Sequence, residues 1–378
     1  MSVVQPFRAE SRRQRGSPKG LDYDRGSPKG LDYDWTRRRE VKRLVGWLFV
    51  LIVAAAVAAG AWVFVNLERP YKGYDAAEQF VEIPIGTGSV SMGKRLADAG
   101  IIRSAEAFRL AVWMRGSGRR LQAGEYRFAR PMTTAEVVDK IARGDVYVRA
   151  ITLREGLTNR EMAALFESGG FGTAAEFLKA ARHAPLVSDI DPAARDLEGY
   201  LFPDTYTLPR TATATQLVER MVTRFKKALT PELREQATSH GLDVRALVTL
   251  ASLVEKETGK AEERPIVAGV YANRLRIRMP LQCDPTVIYA MMLAGRYDGN
   301  IRRDDLQMDS PYNTYRYPGL PPGPIAAPGE ASLRAAAAPA AVPYLYFVSR
   351  NDGSHVFAAT LDEHNRNVAA FQLKRPNP

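Results

Sequence analysis

The strongest constraint on this chain is the stretch from Leu44 to Leu67, LVGWLFVLIVAAAVAAGAWVFVNL, which carries no charged residue. A helix advances about 1.5 Å per residue, so 24 residues can cross a hydrocarbon core of roughly 30 Å with some tilt. The stretch has no polar face, which argues against a buried helix of a soluble protein. Trp47 and Trp62 sit near its ends, where indole rings prefer the membrane interface. Arg37, Arg38, Arg39, Lys42 and Arg43 come directly before it, and such a basic flank stays in the cytoplasm. Everything after Glu68 is therefore expected outside. Ala56-Val57-Ala58 resembles a signal-peptide cleavage site, but the apolar run continues through Trp62, Val63, Phe64 and Val65, which favours an uncleaved single-pass anchor in the cytoplasmic membrane.

This anchor also changes the meaning of the formal charge of +11. Residues 1–67 hold 12 Lys and Arg against 6 Asp and Glu, while the other 311 hold 41 against 36. So small an excess outside the membrane argues against a nucleic-acid partner. The single cysteine, Cys283, excludes an internal disulfide framework. The four histidines, His183, His240, His355 and His364, follow no zinc spacing, so no metal is expected. No GxSxG elbow, Walker loop or dinucleotide fingerprint occurs, and no cofactor is expected.

At 378 residues, with 46% hydrophobic and 25% charged residues, the chain has material for two or three folded domains. Residues 1–43 read as a disordered basic cytoplasmic tail in which RGSPKGLDYD is repeated in tandem, from Arg15 and from Arg25. Residues 44–67 form the membrane helix. Residues 68–150 read as a small α+β module: an alternating strand at Val81, Ile83 and Ile85, two helices with the second starting near Ser104, a returning strand at Ala123 to Phe128, and a Thr-capped helix from Thr133 to Gly144. A similar unit restarts at Ile151. From Ala212 the pattern is mostly helical, with amphipathic stretches over 216–229, 231–240, 243–256 and 265–276. The Pro/Gly run from Tyr315 to Gly329 reads as a rigid loop bordering a cleft, and strands follow at YLYFVSR and SHVFAAT. Residues 151–378 thus make a larger mixed α+β domain with a helical core and short strands.

Carboxylates remain as the candidates for chemistry. In ALVTLASLVEKETG, Ala246 to Gly259, helical periodicity puts Glu257 about 20° from Leu250 and Glu255 about 160° from Glu257. Glu257 can lie against the leucine-rich side, and a desolvated carboxyl keeps its proton to higher pH, as a general acid requires. Periodicity leaves equally open that both are solvated charges at a helix end.

LASLVEKETG, ERPIVAGVYANRLRIRMPLQCDPTVIYAM, YNTYRYPGLPPGPIAAPGEASLRAAAAP, YLYFVSRNDGSHVFAATLDEHN and the earlier LEGYLFPDTYTL occur in an order that resembles the YceG-like endolytic murein transglycosylases. The resemblance spans roughly Ile151 to the end, and the anchor followed by a small LysM-like module also matches that family's layout. It implies a membrane-tethered lytic enzyme acting within peptidoglycan strands at the MurNAc-β-1,4-GlcNAc bond and leaving 1,6-anhydro-MurNAc ends. The family's essential glutamate maps onto Glu257, with Glu255 as the secondary acid candidate. The same blocks supply cleft candidates: Tyr200, Asp204 and Tyr206; Asn273, Gln282 and Asp284; Tyr312, Asn313, Thr314 and Tyr315. Each tyrosine could equally be a packing residue, and His355 and Asn273 share that ambiguity. Expected partners are peptidoglycan strands, the cytoplasmic membrane and glycan polymerases. The competing readings are a non-catalytic glycan-binding scaffold of the envelope and a lysozyme-like muramidase that uses water.

Overall fold

The structure, a computed structural model, describes residues 35–373. The tandem decapeptide and most of the expected tail lie outside the described residues. The chain divides into two units, Met1–Val65 and Asn66–Pro378. In the first, helix α1 runs from Trp35 to Val63 and passes into a π-helical turn over Phe64–Glu68. The helix begins ahead of Leu44 because nothing in WTRRREVKR breaks it, so the basic cluster forms its first turns. The span Glu40–Glu68 is long and apolar enough to cross a membrane, and its most apolar window is entirely unburied by protein.

The second unit opens with the expected order: β1 (Gln79–Ile83), α2 (Ser89–Asp98), α3 (Ala105–Met114), β2 (Gly124–Phe128) and α4 (Thr134–Arg143). Antiparallel pairing sets Val81 opposite Tyr126, which puts the buried apolar side chains of both strands on one face. Ser104 caps α3 by accepting from Ala107 N–H. Thr133 and Glu136 form a reciprocal capping box on α4, and Gly144 closes that helix at φ 68°, where a side chain would be strained. The β-α-α-β order then recurs as β3 (Arg149–Leu153), α5 (Asn159–Ser168), α6 (Ala174–Ala181) and β4 (Asp204–Leu208), with β3 antiparallel to β4.

Helices α7 (Ala214–Ala228), α8 (Pro231–Ser239), α9 (Val244–Glu257), α10 (Arg264–Arg276), α11 (Asp284–Leu293) and α12 (Glu330–Ala337) build the body. The antiparallel hairpin β5 (Tyr346–Ser349) and β6 (His355–Ala358) and helix α13 (Leu361–Val368) finish it. Helix α9 is central: every residue from Leu247 to Val254 is buried, with α8, α10, α11 and α12 packed around it. Its two polar members are small, and Ser252 turns its hydroxyl to the Thr249 carbonyl at 2.7 Å while accepting Ile325 N–H at 3.1 Å.

That last bond shows what the Pro/Gly run does. Ile325, Ala326 and Ala327 are buried, and Ala327 exchanges backbone bonds with Gly156 and Leu157. The run borders a cleft at its middle, where Pro322, Gly323 and Pro324 line a small cavity, and its following residues thread the core beside α9. Gly199, at φ 82°, lets Pro324 pack so closely that a Cβ there would collide with the proline ring.

Candidate active site

Helix α9 ends at Glu257 because Thr258 takes an extended conformation, φ −139° and ψ 133°. The Thr258 hydroxyl accepts Lys260 N–H at 3.0 Å and donates to Glu263 at 2.9 Å, which shapes the turn into α10. Helix α10 then carries its buried side chains Val267, Tyr271 and Arg274 on one stripe. Tyr271 donates its hydroxyl to Glu257 Oε1 at 2.6 Å.

Three further segments converge on this carboxyl. Thr314 accepts Cys283 N–H at 3.0 Å and bonds the Thr286 hydroxyl at 2.9 Å, which pins the start of α11. Gln282 sits in the left-handed region at φ 50°, with its N–H on the Thr314 carbonyl. The Cys283 thiol and the Asp284 carboxylate are thereby brought next to Glu257, and Tyr315 donates to Asp284 at 2.5 Å. The third segment is the β5–β6 hairpin, which Asn273 holds through the Val342 and Tyr344 carbonyls and Arg274 through that of Leu345. Strand β6 begins with His355, whose ring nitrogen meets Glu263 at 2.7 Å.

Glu257 is half-buried, so it is accessible while dense protein surrounds its carboxyl. Burial raises its pKa; bonds with Tyr271 and Cys283 pull it down, the like charge of Asp284 adds to burial, and His355 opposes it, for a net rise. Burial likewise pushes the Cys283 thiol well above its ordinary value, which makes it a poor nucleophile. The site can therefore hold an accessible, protonated carboxyl with a fixed donor on one oxygen.

Glu255 lies on the other flank of α9, as the periodicity predicts, but it is not a solvated charge. It accepts Gly329 N–H at 2.9 Å and stands 3.6 Å from Arg264, with only 7% of its side chain exposed. Asp204 shares a cleft of about 520 Å³ with Glu255, Glu155 and Arg154, away from the Glu257 carboxyl, and is bonded by Arg224. Tyr200 is buried, stacks edge-on against Phe225 and gives its hydroxyl to Asp191 at 2.5 Å. Tyr206 is buried with its hydroxyl on the Phe202 carbonyl at 2.7 Å. Tyr312 packs on Tyr289 beside a small cleft of about 120 Å³ that Glu198 also lines.

Asn273 and Asn313 spend their polar atoms on backbone, and Thr314 divides its hydroxyl between Cys283 N–H and the Thr286 hydroxyl. Asn313 is fully buried and donates to the Leu306 and Met308 carbonyls. The structure thus gathers Asp284 and Tyr315 at Glu257 and uses Gln282, Asn273, Asn313 and Thr314 to hold segments in place. Tyr200, Asp204, Tyr206 and Tyr312 have their polar or ring contacts elsewhere.

Sequence reasoning missed Tyr271, Arg274 and Glu263. The stripe Val267, Tyr271, Arg274 was available as a signal, since two polar tips on a buried face need partners. It also missed Glu198, whose carboxyl accepts Asn159 N–H at 3.0 Å and the Tyr289 hydroxyl at 3.2 Å. Burial pushes Glu198 up to about 8. Among the described residues no group of three or more His, Cys, Asp and Glu is arranged to hold a metal.

Comparison with known proteins agrees with the motif order. The chain is 32% identical over 301 residues to an endolytic murein transglycosylase of Bacillus subtilis, covering 76% of this chain and 82% of that protein. It is 31% identical over 319 residues to an endolytic murein transglycosylase of Streptococcus pneumoniae, covering 76% of this chain and 57% of the longer relative. A crystal structure of a YceG-like protein from Listeria monocytogenes superposes with a TM-score of 0.53 at 32% identity, covering 77% of this chain and 98% of that one. The profile of the YceG-like family matches residues 81–370, most of the chain, and the chain belongs to that family.

Proposed function

We propose that this chain is an endolytic murein transglycosylase, with Glu257 as acid and then base. The observation that carries the assignment is the accessible Glu257 carboxyl, lifted in pKa by burial and held by Tyr271 at 2.6 Å. In the first step the Glu257 proton passes to the glycosidic oxygen while the C1–O bond breaks and its electron pair goes to that oxygen. In the second, the C6 hydroxyl of the same MurNAc attacks C1 and returns its proton to the Glu257 carboxylate. Capture by a tethered hydroxyl carries an effective molarity worth up to roughly 7–11 kcal/mol, so no second carboxylate is needed to activate water.

The substrate is a glycan strand of peptidoglycan cut at an internal MurNAc-β-1,4-GlcNAc bond. The first β-α-α-β unit acts as a LysM-like glycan holder. Helix α1 anchors the chain in the cytoplasmic membrane with the basic flank inside, which keeps the enzyme beside newly made strands and their polymerases.

The test is digestion of purified glycan strands by the detergent-solubilised full chain, with Glu257→Gln in parallel and mass spectrometry of the ends. Products about one water lighter than hydrolysis products, absent with the variant, are expected. Reducing ends would make the enzyme a muramidase. Binding without cleavage by the folded wild type would make it a scaffold.

A further inference from the structure

Helix α7 has two kinds of flank. Leu217, Val218, Met221, Val222 and Phe225 are buried against the body, whereas Arg220, Arg224 and Lys227 recur at helical spacing and form a basic stripe. Arg220 and Lys227 are exposed and Arg224 is half-buried; the three line an open groove of about 530 Å³ whose one carboxylate is Glu219. The stripe is held in place without being neutralised. Arg220 gives Nη1 to the Thr207 carbonyl at 2.9 Å, while Arg224 lies over the Phe202 ring at 4.6 Å and gives Nε to Asp204 at 3.0 Å. Their outer guanidinium nitrogens and the Lys227 ammonium have no protein acceptor among the described residues. Lys226, off the stripe, is paired with Asp189 at 2.7 Å.

The Arg224–Asp204 bond joins this groove to a second one. Asp204 lines the cleft of about 520 Å³ in which Glu155 and Glu255 add two carboxylates against one cation, Arg154. Glu255 belongs to the last turn of α9, two residues before the acid, and the Glu155 side chain is 49% exposed. From the end of α9 the surface is thus acidic first and basic beyond.

An occupant of both clefts must carry an amine ahead of carboxylates. The stem peptide of a peptidoglycan strand meets that demand: it hangs from the lactyl group of MurNAc, bears the free amine of a diamino residue and ends on a carboxylate. Five extended residues reach about 16–18 Å, against about 10–12 Å for the width of a helix. A peptide on the sugar beside Glu257 is therefore long enough to round the end of α9.

We propose that these joined clefts receive the stem peptide of the strand being cut: Arg220, Arg224 and Lys227 take its carboxylates, and Glu155 with Asp204 takes its amine. The inference rests on the transglycosylase reading and makes peptide-bearing strands, rather than bare glycan, the preferred substrate.

The experiment compares cleavage by the detergent-solubilised full chain of peptide-bearing strands and of strands stripped by an amidase, for wild type and Arg220→Gln/Lys227→Gln. That variant spares the Arg224–Asp204 bond. Wild type should favour peptide-bearing strands through KM, and the variant should lose about five- to tenfold of that preference. Raising the salt concentration should shrink the preference as well. Equal wild-type KM on the two strands, or a preference that the variant keeps, overturns the proposal. Loss on both strands alike would assign the stripe to the glycan chain and overturns it too. If the double variant does not fold, Lys227→Gln alone takes its place with the same criteria. Competition by free stem peptide for strand binding to Glu257→Gln separates this inference from the reading of the acid. Competition that weakens when the peptide amine is acetylated supports the peptide site even if wild type cuts no strand, an outcome that would remove the transglycosylase reading alone. Strand cleavage by wild type with no competition by the peptide overturns the peptide site alone.

Discussion

Tyr271 and Glu257, fourteen positions apart, meet at 2.6 Å because the turn after α9 folds α10 back along it. Tyr271 is fully buried, and burial drives its own pKa well above the ordinary value, so its hydroxyl stays a donor across the working pH range. A donor fixed on one carboxyl oxygen leaves the other to carry the mobile proton. It also stabilises the anion formed after proton transfer.

Tyr271→Phe should therefore slow cleavage without unfolding the protein. A hydrogen bond to a charged group contributes roughly 1.5–3 kcal/mol, which corresponds to a loss of about 10- to 100-fold in rate. Burial then acts on Glu257 with less opposition, and the alkaline limb should move to higher pH. The pH dependence of kcat/KM checks both.

Asp284→Asn should act with the opposite sign. Asp284 adds a like charge to the burial that keeps Glu257 protonated. Its removal lets Glu257 ionise sooner, so activity should decline at lower pH than in wild type while the rate at acidic pH is preserved. The Tyr315 hydroxyl retains an acceptor in the amide oxygen. A limb that stays put or moves upward would contradict this arrangement.

Glu255→Gln should cost stability rather than chemistry. The amide keeps the bond from Gly329 N–H but leaves Arg264 without its nearer carboxylate. Losing one partner of a largely buried pair should lower unfolding stability by about 3 kcal/mol, while cleavage per folded molecule stays within a few fold. Denaturant titration alongside the activity assay separates the two effects.

Glu198→Gln should reshape stability against pH. With a folded value of about 8 against an ordinary value near 4.5, the folded state holds a proton that the unfolded state has released between those pH values. Stability contributed by this group is present below the lower value and declines as pH rises to about 8. The neutral amide escapes that decline, so the variant should gain Tm relative to wild type at pH 8 and lose that advantage at pH 4. Thermal melts at the two pH values test it.

Much of the secondary structure was legible because local chemistry specifies it. Thr133 with Glu136, and Gly144 after Arg143, bracket α4 in the chain itself, and alternation at Val81 and Ile83 marks β1. The opposition of Glu255 and Glu257 was also legible, since 100° per residue sends the two to different flanks wherever the helix packs.

Sequence alone determined these elements, the apolar span, the order of the family motifs and the placement of Glu255 and Glu257 on different flanks of α9. Their surroundings were decided by tertiary structure. Nothing local says that Tyr271 returns to Glu257, that Glu263 grips a histidine 92 positions later, or that Tyr200 gives its hydroxyl to Asp191. The physical reason is range. Caps and periodicity act over one or two turns of backbone, whereas the desolvation and hydrogen bonds that tune a carboxyl come from whatever the fold packs against it.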